Sequence, residues 1–179
     1  MPIIFVYTPA AGGGGSVKTV YVLRGLPGSG KTTWAGQKAD EFKRQGHLVT
    51  ILSADIWRQN SDGTLVYDRT KLKSGHMNCL SHFIETVRMG AIPIVIVDNC
   101  NIWTWEYTHY LRIAEVYGYE LAIMELTPPI KTCLERNIHH YPENEVRRLE
   151  ATWDSVPLCF SQCVYPVDVT TEVEDGVSL

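Results

Sequence analysis

One motif constrains the fold of this chain more than any other feature. Residues 25–32 read "GLPGSGKT" and match the pattern G-x-x-x-x-G-K-[ST]. An apolar segment precedes the motif, and a segment with helical spacing of apolar residues follows it. A strand, a glycine-rich loop and a helix in this order arrange backbone N–H groups around a row of phosphates. The sequence therefore predicts a nucleotide-binding P-loop in an α/β fold.

The positions of this loop have separate expected roles. Lys31 is expected to reach the β- and γ-phosphates of ATP, and Thr32 to bind Mg²⁺. The first N–H groups of the following helix add partial positive charge. The predicted nucleotide-binding residues of the loop are Gly25, Pro27, Gly28, Ser29, Gly30, Lys31, Thr32 and Thr33.

Apolar runs alternate with helical patterns from Lys18 onward. The five predicted strands are residues 19–24, 48–53, 92–98, 119–125 and 163–169. The predicted core positions of the helices are Ala35, Ala39, Phe42, Leu80, Phe83, Ile84, Val87, Tyr110, Ile113, Ala114 and Tyr117. Such alternation predicts βαβ crossovers. We therefore expect a P-loop NTPase fold, with a parallel sheet of about five strands and helices on both faces.

Composition and charge narrow the class of protein. The chain has 179 residues, 45% of them hydrophobic, as expected of one globular domain. Residues 8–17 read as a flexible linker, so we expect an N-terminal arm at 1–17 and the P-loop domain at 18–179. The net charge of −4 argues against extended non-specific binding of nucleic acid, but not against a grip on one strand end.

The expected compartment follows from what the sequence lacks. No apolar run approaches the ~20 residues of a membrane span, and no secretory signal is recognisable, so we expect no membrane partner. The five cysteines form no Cys-x-x-Cys pair, which argues against a zinc site and a disulfide framework. A reducing compartment, the cytoplasm or the nucleus, is therefore expected. The sequence indicates no oligomeric state.

Polar side chains follow the second and third predicted strands, at the sheet edge where α/β proteins bind ligands. Asp98 closes its strand like a Walker B acid and is expected to hold Mg²⁺ through water. Asp55 is a candidate general base for an incoming hydroxyl, a role worth ~10²–10⁴ in rate. The other candidate acceptor-binding residues are Trp57, Arg58, Asn99 and Asn101. Each of these residues also has an alternative role that remains open. The tryptophan could pack the loop, the arginine could be a solvated surface charge, and the asparagines could stabilise turns.

A candidate lid follows the fourth strand, at about residues 136–154. Arg136 is expected to close over the triphosphate, where an arginine is worth ~10³–10⁵ in rate. Pro142 is expected to open a helix at its first position. The predicted buried stripe of this helix is Val146, Leu149 and Trp153, and its basic residues Arg147 and Arg148 fit a solvated face.

Four segments together resemble a known group. They are "LRGLPGSGKTTWA", "SADIWR", "VDNCNIWTWE" and "LERNIHHYP". In this order they are similar to P-loop kinases of the polynucleotide 5′-hydroxyl kinase type. That group includes the phage enzyme, the kinase module of fungal tRNA ligases and the NEDD-binding-protein-like P-loop proteins. The resemblance covers roughly residues 19–157.

The resemblance implies roles for individual residues. It implies Lys31 and Thr32 as phosphate and metal contacts, Asp55 as the base, Arg58 as a contact to an acceptor phosphate and Arg136 as a lid contact. Two positions depart from the pattern. Ile56 stands where many relatives have a second acid, and His140 stands where the phage enzyme has a further lid arginine.

The expected function is that of an ATP-dependent phosphotransferase. The acceptor implied by the resemblance is the 5′-OH of RNA or DNA, as in nucleic-acid end processing. A small-molecule kinase for a nucleoside, sugar or antibiotic remains one alternative. A binding module that hydrolyses ATP slowly is the other, and the departure at Ile56 keeps it open.

Overall fold

The computed structural model describes residues 17–58, 69–137 and 141–169 of the chain. The strands are β1 (Thr19–Arg24), β2 (Val49–Leu52), β3 (Ile94–Val97), β4 (Glu120–Leu126) and β5 (Val164–Val167). The helices are α1 (Lys31–Arg44), α2 (Arg69–Met89), α3 (Thr104–Val116), α4 (Ile130–Glu135) and α5 (Glu143–Ala151). Two 3₁₀ helices cover Ala54–Arg58 and Leu158–Cys163. Residues 1–16, which make up nearly all of the predicted arm, lie outside the described part.

The five strands form one parallel sheet in the order β2-β3-β1-β4-β5. The predicted parallel sheet of about five strands, with helices on both faces, is therefore confirmed. From β1 the chain first runs to the edge strand β2 and then returns through β3, so β1 and β3 are neighbours. A crevice for ligands forms where the strand order reverses in this way, at the carboxyl ends of the strands. Gly25 follows β1 and Asp98 follows β3 at that edge.

Strand β1 shows why both faces of the sheet are covered. Successive side chains of a strand point to opposite faces. Val20 and Val22 face the apolar cluster formed with α2 and α3. Tyr21 and Leu23 face a second cluster formed with α1. All four side chains are at most 2% exposed, so a strand with continuous apolar character lies between two helical layers.

Two of the predicted core positions on helices are wrong. Ile84 is 36% exposed on α2, because the buried stripe of that helix runs through Cys79, Phe83 and Val87 at four-residue spacing. Tyr117 is 39% exposed because α3 ends one residue before it, so helical spacing no longer decides where its side chain points. No helix in the described ranges combines the length and apolar character that crossing a membrane requires.

Helix α5 packs on a third apolar cluster, at the carboxyl edge of the sheet. Val146 and Leu149 are buried and Trp153 is partly buried, which confirms the predicted stripe. They contact Leu26 of the P-loop and Ile102 of the β3–α3 loop within the same cluster. The predicted start of the helix differs by one position, because Pro142 is the N-cap and Glu143 the first helical residue.

Candidate active site

The P-loop joins β1 to α1 through two glycines in the left-handed region. Gly28 has φ +79° and Gly30, the N-cap of α1, has φ +96°. A β-carbon disfavours this conformation, so the loop requires glycine at both positions. The N–H groups of Lys31, Thr32 and Thr33 belong to the first turn of α1, where helical geometry provides no intrahelical acceptor. The first turn of α1 can therefore donate to phosphate oxygens.

Gly28→Ala is expected to destabilise the fold. A β-carbon at this position would lie 2.0 Å from the carbonyl oxygen of Cys133 in α4, and backbone atoms cannot move aside as a side chain can. Together with the positive φ this should cost more than ~1 kcal/mol in the free energy of unfolding, measured by urea denaturation. Gly36→Ala in α1 is the matched control, because nothing lies within 4 Å of its β-carbon. It should gain roughly 0.5–1 kcal/mol. Equal stability of the two variants would contradict this packing.

Lys31 is held inside the loop. Its ammonium Nζ donates to the carbonyl oxygens of Gly25 at 2.9 Å and Leu26 at 2.8 Å, and lies 3.3 Å from Ser29 Oγ. The side chain is 8% exposed. The cation therefore lies within the concavity formed by the loop, where the sequence predicts the β- and γ-phosphates.

Thr32 and Asp98 come together as the sequence predicts for a magnesium site. Thr32 Oγ1 donates to Asp98 Oδ2 at 2.8 Å. The backbone N–H of Asp98 donates to Leu52 O at 2.8 Å, which fixes the carboxylate against the end of β2. A hydroxyl and a carboxylate are the oxygen ligands that Mg²⁺ prefers, so these residues fit the ion.

Asp55 lies in the 3₁₀ helix that follows β2 and is partly exposed. The N–H of the preceding Ala54 donates to Asn99 Oδ1 at 2.8 Å, and the N–H of Asp55 lies 3.2 Å from Ser53 Oγ. These bonds fix the turn to the segment that follows β3. Asp55 is thereby carried to the same edge of the sheet as Asp98.

Charged groups of the candidate site act on the pKa of the Cys100 thiol. Burial raises the pKa of the Cys100 thiol. The Lys31 ammonium acts in the opposite direction, whereas the carboxylates of Asp55 and Asp98 add to the rise in pKa. The Cys100 thiol therefore lies within the electrostatic influence of both carboxylates and of the loop lysine.

Asn99 and Asn101 are 6% and 1% exposed, and both bond within the protein. Besides holding the Asp55 turn, Asn99 donates through Nδ2 to the Cys79 sulfur at 3.6 Å. Asn101 has φ +51° and donates to Leu23 O at 2.7 Å. Their burial favours the turn chemistry left open by the sequence over direct contact with an acceptor.

Other predicted site residues differ in how far the structure describes them. The backbone of Trp57 and Arg58 continues the 3₁₀ helix, but their side chains lie outside the description, as does His140. Pro27 is buried and Thr33 exposed. Arg136 is an exposed residue at the C-terminal end of α4, the helix whose Cys133 carbonyl packs against the P-loop.

The arginines of α5 fit the solvated face predicted for them. Arg147 pairs with Glu143 at 2.7 Å, one helical turn earlier. Arg148 pairs with Glu145 at 3.0 Å. Both arginines are about half exposed, so these pairs contribute little to stability, at most ~1 kcal/mol.

Arg24 is a structural residue of the site that the sequence reasoning missed. It ends β1 directly before the P-loop and is 0% exposed. Its Nε donates to Asn101 O at 2.8 Å, and its Nη2 donates to Ile102 O at 3.1 Å and to Asp154 O at 2.8 Å. Its Nη1 forms an ion pair with Glu125 of β4 at 2.5 Å. The guanidinium therefore joins four segments of chain.

Two aromatic rings complete the surroundings of Arg24. The rings of Tyr107 and Trp153 each have their centroid 4.7 Å from the guanidinium carbon. This arrangement connects the start of the P-loop to the segment after Asp98 and to the end of α5. The sequence signal that could have revealed this role is a single charge at the end of an otherwise apolar strand. Arginines are almost never fully buried unless they are paired, so a buried position there implies partners.

A family model described as an AAA domain, AAA_33, matches residues 20–156. The chain belongs to the AAA_33 family. The matched range runs from β1 past the end of α5, so it contains the P-loop, both aspartates and the segment predicted to form a lid.

Two curated relatives extend this assignment. Human NEDD4-binding protein 2 is 30% identical over 162 residues, which cover 82% of this chain. Rat YLP motif-containing protein 1 is 26% identical over 158 residues, which cover 78% of this chain. The matched regions span only 9% of the human protein and 12% of the rat protein. This chain is therefore similar to one domain of much longer proteins.

Solved structures share the fold at low sequence identity. A gluconokinase from Sinorhizobium meliloti 1021 has a TM-score of 0.57 at 17% identity, over 88% of this chain and 85% of that one. A chain of the Pnkp1/Rnl/Hen1 RNA repair complex has a TM-score of 0.58 at 14% identity, over 77% of this chain and 44% of that one. The protein therefore has a kinase-like P-loop nucleotide-binding fold.

Proposed function

We propose that this protein is an ATP-dependent kinase that transfers the γ-phosphoryl group to the 5′-hydroxyl end of a nucleic acid. The observation that carries the proposal is the position of Asp55. A P-loop with Lys31, Thr32 and Asp98 is sufficient to bind a nucleoside triphosphate. Asp55 is an additional carboxylate at the same edge of the sheet as Asp98, held by a separate turn of chain that bonds to Asn99. A second carboxylate beside the phosphate site is the chemistry that a hydroxyl acceptor needs.

In the proposed transfer, different residues of the chain have different roles. Lys31 and the N–H groups of the first turn of α1 hold the phosphates. Thr32 and Asp98 would hold Mg²⁺, which supplies neutralisation of phosphate charge when bound. Asp55 orients the acceptor hydroxyl and takes its proton at a carboxylate oxygen as the new O–P bond forms. The bond between the γ-phosphorus and the β,γ-bridging oxygen breaks in the same step, and ADP leaves. Arg136, at the end of the helix packed on the P-loop, is the candidate cation for the transferring group.

The acceptor assignment rests on the resemblance and on the named neighbours. The spacing of Asp55 and Arg58 and the "Arg-Asn" lid start follow the pattern of polynucleotide 5′-hydroxyl kinases, from which Ile56 departs. In this reading Arg58 binds an acceptor phosphate and Trp57 a base. The likeness to a chain of an RNA repair complex is consistent with it. A kinase domain at 18–179, with its lid at 136–154 and a cytoplasmic or nuclear location, is part of the same proposal.

A small-molecule kinase is the second candidate, because the fold is also that of a gluconokinase. An acceptor panel separates the two. The protein with labelled ATP and Mg²⁺ is offered 5′-OH RNA, 5′-OH DNA, nucleosides, gluconate and water. Label on an oligonucleotide supports the proposal, and label on a small molecule alone supports the second candidate. Release of free phosphate alone would mean a nucleotide-dependent binding module.

Lys31→Ala is expected to weaken Mg·ATP binding or turnover by about 10- to 100-fold, the usual worth of a charge-assisted hydrogen bond. The fold should persist, because among the described residues the Lys31 ammonium contacts only the P-loop itself and the side chain belongs to none of the three apolar clusters. Calorimetric titration with Mg·ATP measures the effect. Lys38→Ala is the matched control, since Lys38 lies in the same helix and pairs with Glu41 at 2.7 Å. Unchanged binding and turnover in Lys31→Ala would refute the P-loop assignment.

A further inference from the structure

Two indole rings form a parallel stack at the N-terminal end of α3. The ring centroids of Trp103 and Trp105 are 6.0 Å apart, and their planes differ by 9°. Trp105 is 69% exposed. The guanidinium carbon of Arg148 lies 5.3 Å from the centroid of the Trp103 ring. We call these three side chains the aromatic platform.

The inner ring of the platform is fixed in place. Trp103 Nε1 donates to Thr152 Oγ1 at 3.2 Å, and the backbone N–H of Trp103 donates to Glu106 Oε2 at 3.0 Å. Its side chain also packs on the third apolar cluster, together with the P-loop residue Leu26. A rigid inner ring thus presents an outer ring to solvent. Another flat ring can extend this stack without reorganising the protein.

The separation along the chain limits how far the platform can lie from the proposed acceptor site. Trp105 follows Asp98 by seven residues. Since a chain spans at most ~3.6 Å per residue, their Cα atoms are within roughly 25 Å of each other. Stacked nucleotides of one strand advance by about 3.4 Å each. A strand of about eight nucleotides with its 5′ end in the crevice is therefore long enough to reach Trp105.

The charges around the platform favour a neutral flat ligand group over a phosphate. Arg148, its only cation among the described residues, is paired with Glu145 at 3.0 Å. Binding there would depend on ring faces and not on a surplus of positive charge. Every nucleobase has such a face, and aromatic side chains bind single strands by stacking them.

We propose that the aromatic platform stacks a base of a single-stranded nucleic acid, several nucleotides from the 5′ end that enters the crevice. This inference rests on the proposed function for the identity of the ligand. It assigns Trp105 as a binding residue for longer acceptors only. A one- or two-nucleotide acceptor is shorter than the separation that this proposal assumes, so it serves as the control ligand.

The test is calorimetric binding of 5′-OH oligothymidylates of two and eight nucleotides. Trp105→Ala should weaken binding of the octamer about 5- to 100-fold, the range measured for loss of one base–aromatic stack, and leave the dimer unaffected. Trp105→Phe should keep most of the wild-type affinity for the octamer. Val116→Ala, at an 81% exposed position of the same helix, is the matched control and should change neither. The factor by which Trp105→Ala weakens octamer binding should be the same at low and at moderate salt, because the substitution removes no contact to a phosphate.

Kinase assays on the same two acceptors separate this inference from the proposed function. Trp105→Ala should raise KM for the octamer and leave kcat unchanged. If the wild type phosphorylates neither oligonucleotide but the binding pattern holds, the proposed function fails and the platform stands. If octamer affinity is unchanged in Trp105→Ala, or if the wild type does not bind the octamer, the platform does not bind nucleic acid. Self-association lost in Trp105→Ala with unchanged octamer affinity would instead make it a protein-docking surface.

Discussion

Asp55→Asn is expected to lower phosphoryl transfer to every acceptor by ~10²–10⁴, the usual worth of general-base catalysis. Asparagine keeps the size and polarity of the side chain but does not accept the proton of the attacking hydroxyl. Nucleotide affinity should stay nearly intact, because the proposal assigns the binding of the triphosphate and Mg²⁺ to Lys31, Thr32 and Asp98 and not to Asp55. Single-turnover transfer and calorimetric Mg·ATP titration measure the two quantities separately.

Asp98→Asn is the matched comparison for this variant. The Asp98 carboxylate accepts a hydrogen bond from the Thr32 hydroxyl at 2.8 Å. Because the proposal gives both groups to Mg²⁺, loss of the carboxylate should reduce Mg·ATP binding itself. Asp55→Asn should therefore lower the rate of transfer, whereas Asp98→Asn should lower the affinity for Mg·ATP. Near-normal transfer by Asp55→Asn would show that Asp55 is not the base. A collapse of Mg·ATP binding in that variant would make it a metal-site residue, and the roles of the two carboxylates would have to be exchanged.

Local patterns predicted most of the fold. The strands could be located because both faces of β1 are buried, which leaves a continuous apolar run in the sequence. The P-loop could be assigned because its motif is local: positive φ favours glycine at position 30, and Lys31 and Thr32 follow directly. The errors at Ile84 and Tyr117 have physical causes as well. Helical spacing alone does not decide between adjacent stripes, and it does not apply beyond the end of a helix.

The candidate site was predicted less completely, since its architecture depends on long-range hydrogen bonds. Asp55 and Asp98 could be identified because parallel strands end at the same edge. Asn99 looked like an acceptor contact, whereas its side chain binds a backbone N–H 45 residues earlier in the chain. No local pattern encodes such a partner. The same holds for Arg24, whose acceptors lie between 77 and 130 residues away.

Arg24→Met is expected to lower the free energy of unfolding by roughly 3–5 kcal/mol, because Arg24 is 0% exposed and is the donor to one partly exposed carboxylate and to three carbonyl oxygens. Methionine matches the apolar part of the side chain between the rings of Tyr107 and Trp153. It leaves Glu125 and three carbonyl oxygens without their donor. Chemical denaturation measures the change, and hydrogen exchange of α5 should rise because the end of that helix loses its bond to the P-loop strand.

Arg112→Met is the matched control for this prediction. Arg112 also lies over an aromatic ring, 4.6 Å from the Phe160 centroid, and pairs with Glu115 at 3.1 Å, but it is 59% exposed. Its loss should cost at most ~1 kcal/mol. Arg24→Lys keeps the charge but not the planar fork that serves four acceptors at once, so it should fall between the two. If Arg24→Met is no less stable than Arg112→Met, the buried network does not hold the P-loop to the segment after Asp98, and the crevice must be positioned by the apolar clusters alone.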